Sequence, residues 1–225
     1  MKILSFSALA LLFAFGLYSF SQLGQDKEEG QANYAKFLAQ FEEQALPLKL
    51  NQEKIESEIE QRQYQRDLWQ NISGKRLGRE FSSFIPGLDD GMMSRMGPDR
   101  YQSQALVAQT ENYDLLLYAV LPPFRANERW VLAAYSKKGE LIDEMMVAAN
   151  RYQKQVGALI TEDGAIVLTE WKRELEDKRY SYTQADSKRF VVADNGEFIQ
   201  ELGNELDRQP RKQELQQVQQ SFGMR

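Results

Sequence analysis

The hydrophobic pattern changes period near Pro98. Upstream, apolar residues recur three and four apart; from Tyr101 to Gln200, short apolar runs alternate with polar or Gly-centred turns. The turns read Ser136-Lys137-Lys138-Gly139, Glu162-Asp163-Gly164 and Asp194-Asn195-Gly196. The runs cover 113–121, 130–135, 140–148, 156–161, 165–174, 179–183 and 189–193. Such even spacing predicts consecutive antiparallel strands, with Gly where a hairpin needs positive φ. The run 113–121 is nearly all apolar, so both of its faces should be covered and its place central. The run 130–135 is similar. Pro122-Pro123 should end the first of these, because Pro cannot join a central ladder. From Glu170 onward the runs become charged, through Lys172-Arg173-Glu174 and Asp177-Lys178-Arg179, which predicts a wetter far side.

The upstream segment reads as helical. Tyr34, Phe37, Leu38, Phe41 and Ala45 form one helix face, which Pro47 should end. Leu46-Pro47-Leu48-Lys49-Leu50 is a short extended stretch. Residues 51–70 form a charged helix with Asn51 as N-cap and sparse apolar positions at Ile55, Ile59, Leu68 and Trp69. That composition fits a solvated helix or a partner-binding one. Leu77, Phe81, Phe84 and Ile85 match a further helix face capped by Ser73 and stopped by Pro86-Gly87, with a loop over 88–100. Beyond Gln200 the chain is Gln-rich, with only Leu215, Val218 and Phe222 to make a weak last helix, and reads as a frayed tail. The predicted class is α+β, with N-terminal helices packed on an antiparallel meander that forms a curled sheet, half-barrel or sandwich. The predicted organisation is a signal peptide at 1–21, a helical region at 22–100, the meander at 101–200 and a polar tail at 201–225.

The first 21 residues carry one charge, Lys2, then an apolar run from Ile3 to Leu17 and the small-x-small sequence Ser19-Phe20-Ser21. This predicts export, with cleavage after Ser21, to the periplasm or beyond. An uncleaved anchor is the alternative, and the membrane is then reached only through this segment.

Composition narrows the chemistry. The chain has no Cys and no His. Disulfides, thiol nucleophiles, Ser-His-Asp hydrolysis and His-ligated zinc are therefore excluded within it. Its net charge of −5 becomes −6 once Lys2 is removed, and no basic stripe with interleaved aromatics appears, so a nucleic-acid partner is not expected. No Ser-x-x-Lys motif, Gly-x-Ser-x-Gly elbow or Gly-rich phosphate loop occurs.

Several weaker constellations remain, each with a plainer reading. Asp89-Asp90-Gly91 offers oxygen ligands for calcium but lacks EF-hand spacing, and a turn explains it. Met92, Met93, Met96, Met145 and Met146 offer soft ligands for Cu(I), although Met more often fills core gaps. Glu144, Glu162, Asp163, Glu170 and Glu174 are the candidates for a glycosidase-like carboxylate pair. Trp130, Trp171, Tyr180 and Tyr182 suggest an aromatic platform for a sugar or peptide, or simply cross-strand packing. Asn71-Ile72-Ser73 matches a glycosylation sequon, read as chance. None of these sets singles out catalytic, cofactor-binding or metal-binding residues, and no cofactor is expected.

The sequence Trp130-Val-Leu-Ala-Ala-Tyr-Ser-Lys-Lys-Gly-Glu-Leu-Ile-Asp143, with Val191-Val-Ala-Asp-Asn-Gly-Glu-Phe198 and the upstream Leu46-Pro47-Leu48, resembles small secreted proteins of unknown function common in Bacteroidetes bacteria. The resemblance covers most of the chain after Ser21. It implies an envelope or exported location and brings no catalytic residues. Together these features point to a non-catalytic binding or structural module with a protein, peptide or glycan ligand. The alternative is a carboxylate-based hydrolase of envelope polysaccharide.

Overall fold

The computed structural model describes residues 30–51, 55, 74–88, 97–123, 128–151, 154–176, 179–202 and 205–207. A helix, α1, spans residues 30–38. The strands are β1 Leu48–Leu50, β2 Arg76–Leu77, β3 Arg100–Gln109, β4 Tyr113–Leu121, β5 Arg129–Ser136, β6 Leu141–Asn150, β7 Lys154–Ile160, β8 Ile166–Glu176, β9 Arg179–Val192, β10 Phe198–Leu202 and β11 Glu205–Asp207. Strands β2 to β11 lie in chain order across one antiparallel sheet, so each pairs with its sequence neighbours. The three hairpin turns anticipated from sequence are present, with φ of 84° at Gly139, 80° at Gly164 and 87° at Gly196. In each, the Gly N–H donates to the carbonyl three residues back (Ser136, Thr161 and Ala193). That is a three-residue loop whose left-handed last position favours Gly.

Alternation along β3–β6 builds a core on each face. One face presents Leu116, Tyr118 and Val120 of β4 with Val131, Ala133 and Tyr135 of β5. The N-terminal segment covers it, through Tyr34 and Phe37 of α1, then Phe41, Leu77, Phe81, Phe84 and Ile85. Phe37 is fully buried, stacked on Phe84 at 4.9 Å and edge-on to Phe41 at 5.2 Å and Tyr135 at 5.6 Å. Tyr34 donates to the Asp114 carboxylate at 2.9 Å, and that buried group also accepts from Gln109 at 3.1 Å and Lys137 at 2.6 Å.

The other face presents Leu115, Leu117, Leu132, Ala134, Met145 and Val147, which pack with Ala158, Ile160, Ile166, Phe190 and Phe198 from β7–β10. For both halves of one sheet to share a core, the sheet must curl. The contacts across the curl agree. The Phe198 N–H donates to Asp143 Oδ2 at 2.9 Å, and Asn112 Nδ2 donates to the Asp194 carbonyl at 3.1 Å. The bend falls between β6 and β7, which pair only at Ala149↔Val156 and Asn150↔Gln155. Strand β1 takes the freed edge, pairing Leu48–Leu50 with Ile160–Ala158. Asn51, at φ 59°, pins the fork by donating from Nδ2 to the Val156 carbonyl at 2.8 Å and the Ala149 carbonyl at 3.4 Å. No pairing closes β11 or β10 onto β2 among the described residues, so the sheet is curled and open.

The N-terminal expectations need correction. The chain leaves α1 after residue 38, well before Pro47, because residues 42–44 bond to Leu106 on β3 instead. The helix expected at Leu77–Ile85 is absent. Arg76–Leu77 is a strand, Arg79–Phe81 one 3-10 turn, and Gly78 between them is extended at φ −90° and ψ 175°. Helical spacing arose there because four buried side chains fill one cluster, not because the backbone is helical. Asn51 accepts at its carbonyl from the Ile55 N–H, but its side chain is spent on the β6–β7 fork rather than on a cap. The rest of the helix expected at 51–70 lies outside the described residues, apart from buried Ile55. At the other end, β10 and β11 carry the sheet past Gln200, so the polar tail does not begin at 201. The signal segment, the sequon, and the tail beyond Asp207 also lie outside the described residues.

Candidate functional site

Glu144 sits at the edge of the covered face of β6 and accepts from Tyr118 Oη at 3.0 Å. Burial raises its carboxyl above the ordinary value, and neighbouring Asp143 adds to the rise, while the Tyr118 bond and the Arg129 charge oppose it. Burial likewise raises the Tyr118 and Tyr135 phenols, with the Glu144 charge contributing to both. A carboxyl of this kind can hold a proton and exchange it with a donor. The other carboxylates of the expected pair are elsewhere. Glu162 and Asp163 lie in the exposed β7–β8 turn, where hydrogen bonding from Thr161 lowers Asp163. Glu170 bonds Lys154 at 2.5 Å, and Glu174 bonds Lys172 at 2.5 Å. No group of three metal-ligating side chains occurs among the described residues.

A second polar group lies at the β6–β7 hairpin. Gln155, fully buried, donates from Nε2 to Asn150 Oδ1 at 2.8 Å and to the Arg151 carbonyl at 2.7 Å. Arg173 donates to the same carbonyl at 3.5 Å, and the Asn150 N–H donates to the Glu128 carbonyl at 2.9 Å. These bonds hold the hairpin where the sheet bends. Gln155 Oε1 accepts no hydrogen bond among the described residues.

The third feature is the ribbon formed by β8 and β9. Its strands pair from Ile166↔Phe190 to Glu176↔Arg179, interrupted by a bulge at Ala185 between Trp171↔Gln184 and Glu170↔Asp186. Strand β10 pairs with β9 only over Arg189–Val192. Among the described residues, the outer edge of β9 from Arg179 to Lys188 therefore carries no strand. Ser181 and residues 183–189 are exposed, and Tyr182 is half-buried. Backbone donors and acceptors on such an edge can take a further strand. The sequence pattern predicts two short strands here, 179–183 and 189–193, because residues 184–188 show no alternation; they show none because they are exposed on both sides.

The remaining candidates disperse. Trp171 is buried opposite Gln155, and Trp130 packs against the inner core, so these two side chains follow the cross-strand packing reading rather than the platform. Met145 is buried in that core, while Met146 takes a contact from Arg151 Nη2 at 3.7 Å. Asp89, Asp90, Met92, Met93 and Met96 lie outside the described residues. Asp114, Tyr118, Asn150 and Gln155 were not anticipated, although a lone polar residue inside an apolar strand is a visible signal for each. Compared with known protein families, with curated proteins and with solved structures, the chain matches none.

Proposed function

We propose that this protein is an exported, non-catalytic module of a bacterial envelope, delivered by Met1–Ser21, that holds a polypeptide by strand addition along β9. The observation that carries the reading is the outer edge of β9 from Arg179 to Lys188, which has no paired strand among the described residues and is exposed from Thr183 to Lys188. An added strand gains backbone hydrogen bonds there, with selectivity from alternate side chains. A polypeptide suits the edge better than a glycan, since Trp130 and Trp171 are packed inward. The secretory pattern and the resemblance to small secreted Bacteroidetes proteins support a periplasmic or secreted location. The hydrolase reading draws on Glu144 alone, without the second carboxylate that glycoside hydrolysis needs.

Site-specific photo-crosslinking in the expressing cell tests the reading. A photoreactive residue at Thr183 should form an adduct with a polypeptide, and one in the exposed β7–β8 turn at Glu162 should not. Absence of an adduct at Thr183, or equal adducts at both positions, contradicts it. So does turnover of envelope glycan that Glu144→Gln abolishes with the fold intact.

A further inference from the structure

We infer that the polypeptide added along β9 is a second copy of this chain, paired antiparallel about Tyr182. The inference rests on the strand-addition reading and names its partner. Edge strands are commonly guarded by charge along their length. Here the charges stand at the ends of the edge and leave its middle unguarded. Asp186, Lys188 and Arg189 are charged, and the bulge at Ala185 twists the strand beside them. The stretch Tyr180-Ser181-Tyr182-Thr183-Gln184-Ala185 carries no charge and is rich in residues that favour strands. It is bounded by a cation, Arg179, and an anion, Asp186.

That order is self-complementary when reversed. A two-fold axis through an antiparallel pair places each residue opposite its symmetry mate or an equal number of steps away. With Tyr182 on the axis, Ser181 stands opposite Thr183 of the second copy and Tyr180 opposite Gln184. Ala185 is the extra residue of the bulge, so the next position in step is Asp186, and it stands opposite Arg179. Without the bulge, Arg179 would meet Ala185. Both ends of the shared ladder thus pair opposite charges, whereas a parallel arrangement would put Arg179 on Arg179 and Asp186 on Asp186. The result is a continuous sheet in the order β8, β9, β9, β8, with the Tyr182 rings as cross-strand neighbours on the axis.

Sedimentation equilibrium of the full chain, purified in the form the expressing cell produces, tests the inference. A reversible dimer is expected. Asp186→Arg puts like charges together at both ends and should weaken the dimer by at least about tenfold. The double exchange Arg179→Asp with Asp186→Arg should restore the wild-type constant to within about threefold. Tyr182→Lys places two ammonium groups on the axis and should leave a monomer. Circular dichroism of each variant checks the fold; among the described residues Asp186 accepts from the adjacent Ser187 N–H at 2.8 Å and pairs with exposed Lys188 at 3.5 Å, both local surface contacts, so its loss should leave the monomer folded. A chain monomeric at every concentration that still forms a Thr183 adduct with another protein overturns self-pairing and spares strand addition. A dimer unmoved by both Asp186→Arg and Tyr182→Lys overturns the assignment of this edge.

Discussion

Removing the Asp114 carboxylate should cost far more than a surface charge does. Asp114 is 1% exposed within β4, and it gathers donors from three separate places. Tyr34 reaches it from α1, Gln109 from the end of β3, and Lys137 from the β5–β6 turn. The three donors are not equal. The Lys137 side chain is 40% exposed and can return to water, so its pair counts as a surface ion pair of about 0–1 kcal/mol. Tyr34 is 5% exposed and cannot rehydrate without moving α1, so losing its acceptor costs about 1.5–3 kcal/mol. Asp114→Ala should therefore lower the unfolding free energy by about 2–4 kcal/mol, mostly through the stranded phenol. Tyr34→Phe leaves the carboxylate two donors and should cost less, about 1–2 kcal/mol. Urea denaturation of both single variants and the double variant gives the coupling, which should exceed about 1 kcal/mol. Additive costs, or an Asp114→Ala loss below about 1 kcal/mol, would refute the reasoning that this carboxylate ties the helix to the sheet.

Two glycines with the same backbone need test packing apart from conformation. Gly139 and Gly164 both have left-handed φ, so Ala should cost about 1–2 kcal/mol at each. A Cβ at Gly139 would also meet the Tyr34 ring at 2.7 Å and Phe84 at 3.0 Å, whereas Gly164 has open space, so calorimetry should show a further loss of about 1–3 kcal/mol at Gly139 alone. Glu144 should make stability depend on pH. Its native carboxyl is raised, so the native state binds more protons above the ordinary value of 4.5, and stability falls as pH rises through the window between the unfolded and native values. Glu144→Gln should remove that decline, leaving the variant more stable than wild type relative to acid conditions; equal slopes in thermal melts from acid to neutral pH contradict this.

The meander was legible because each local signal agreed with the global fold. Residues 113–121 form β4 with the boundaries their apolar run suggests, buried on both faces from Asp114 onward. The Gly turns at 139, 164 and 196 fixed three hairpins. Burial was also legible upstream: Phe37, Phe81, Phe84 and Ile85 are all in the core. Backbone type there was not. Gly78 breaks the helical spacing of Leu77–Ile85, and the tertiary cluster alone brings those side chains together. Strand β3 escaped notice because polar Gln102, Gln104 and Gln109 punctuate it, with two register shifts along its pairing to β4. The wedge of β1 beside β7 joins segments about a hundred residues apart, a relation that no local pattern encodes. Glu144 was visible as a carboxylate; its burial and its Tyr118 partner depend on which strands lie adjacent. The β9 edge was hidden for the opposite reason, since a strand with water on both faces has no hydrophobic period to read.

Amide hydrogen exchange resolved by residue, on chain dilute enough to be monomeric, tests the open edge most directly. Over Ser181–Lys188 the amides bonded to β8 should be protected, while the alternating outward amides exchange at nearly unprotected rates; Leu115–Val120 in β4 should be the slowest region of the molecule. At concentrations that populate the dimer, the outward amides around Tyr182 should become protected while those of Lys188 and Arg189 change little. Uniform protection of every amide from Ser181 to Lys188 in the monomer would show the edge already occupied and contradict the account.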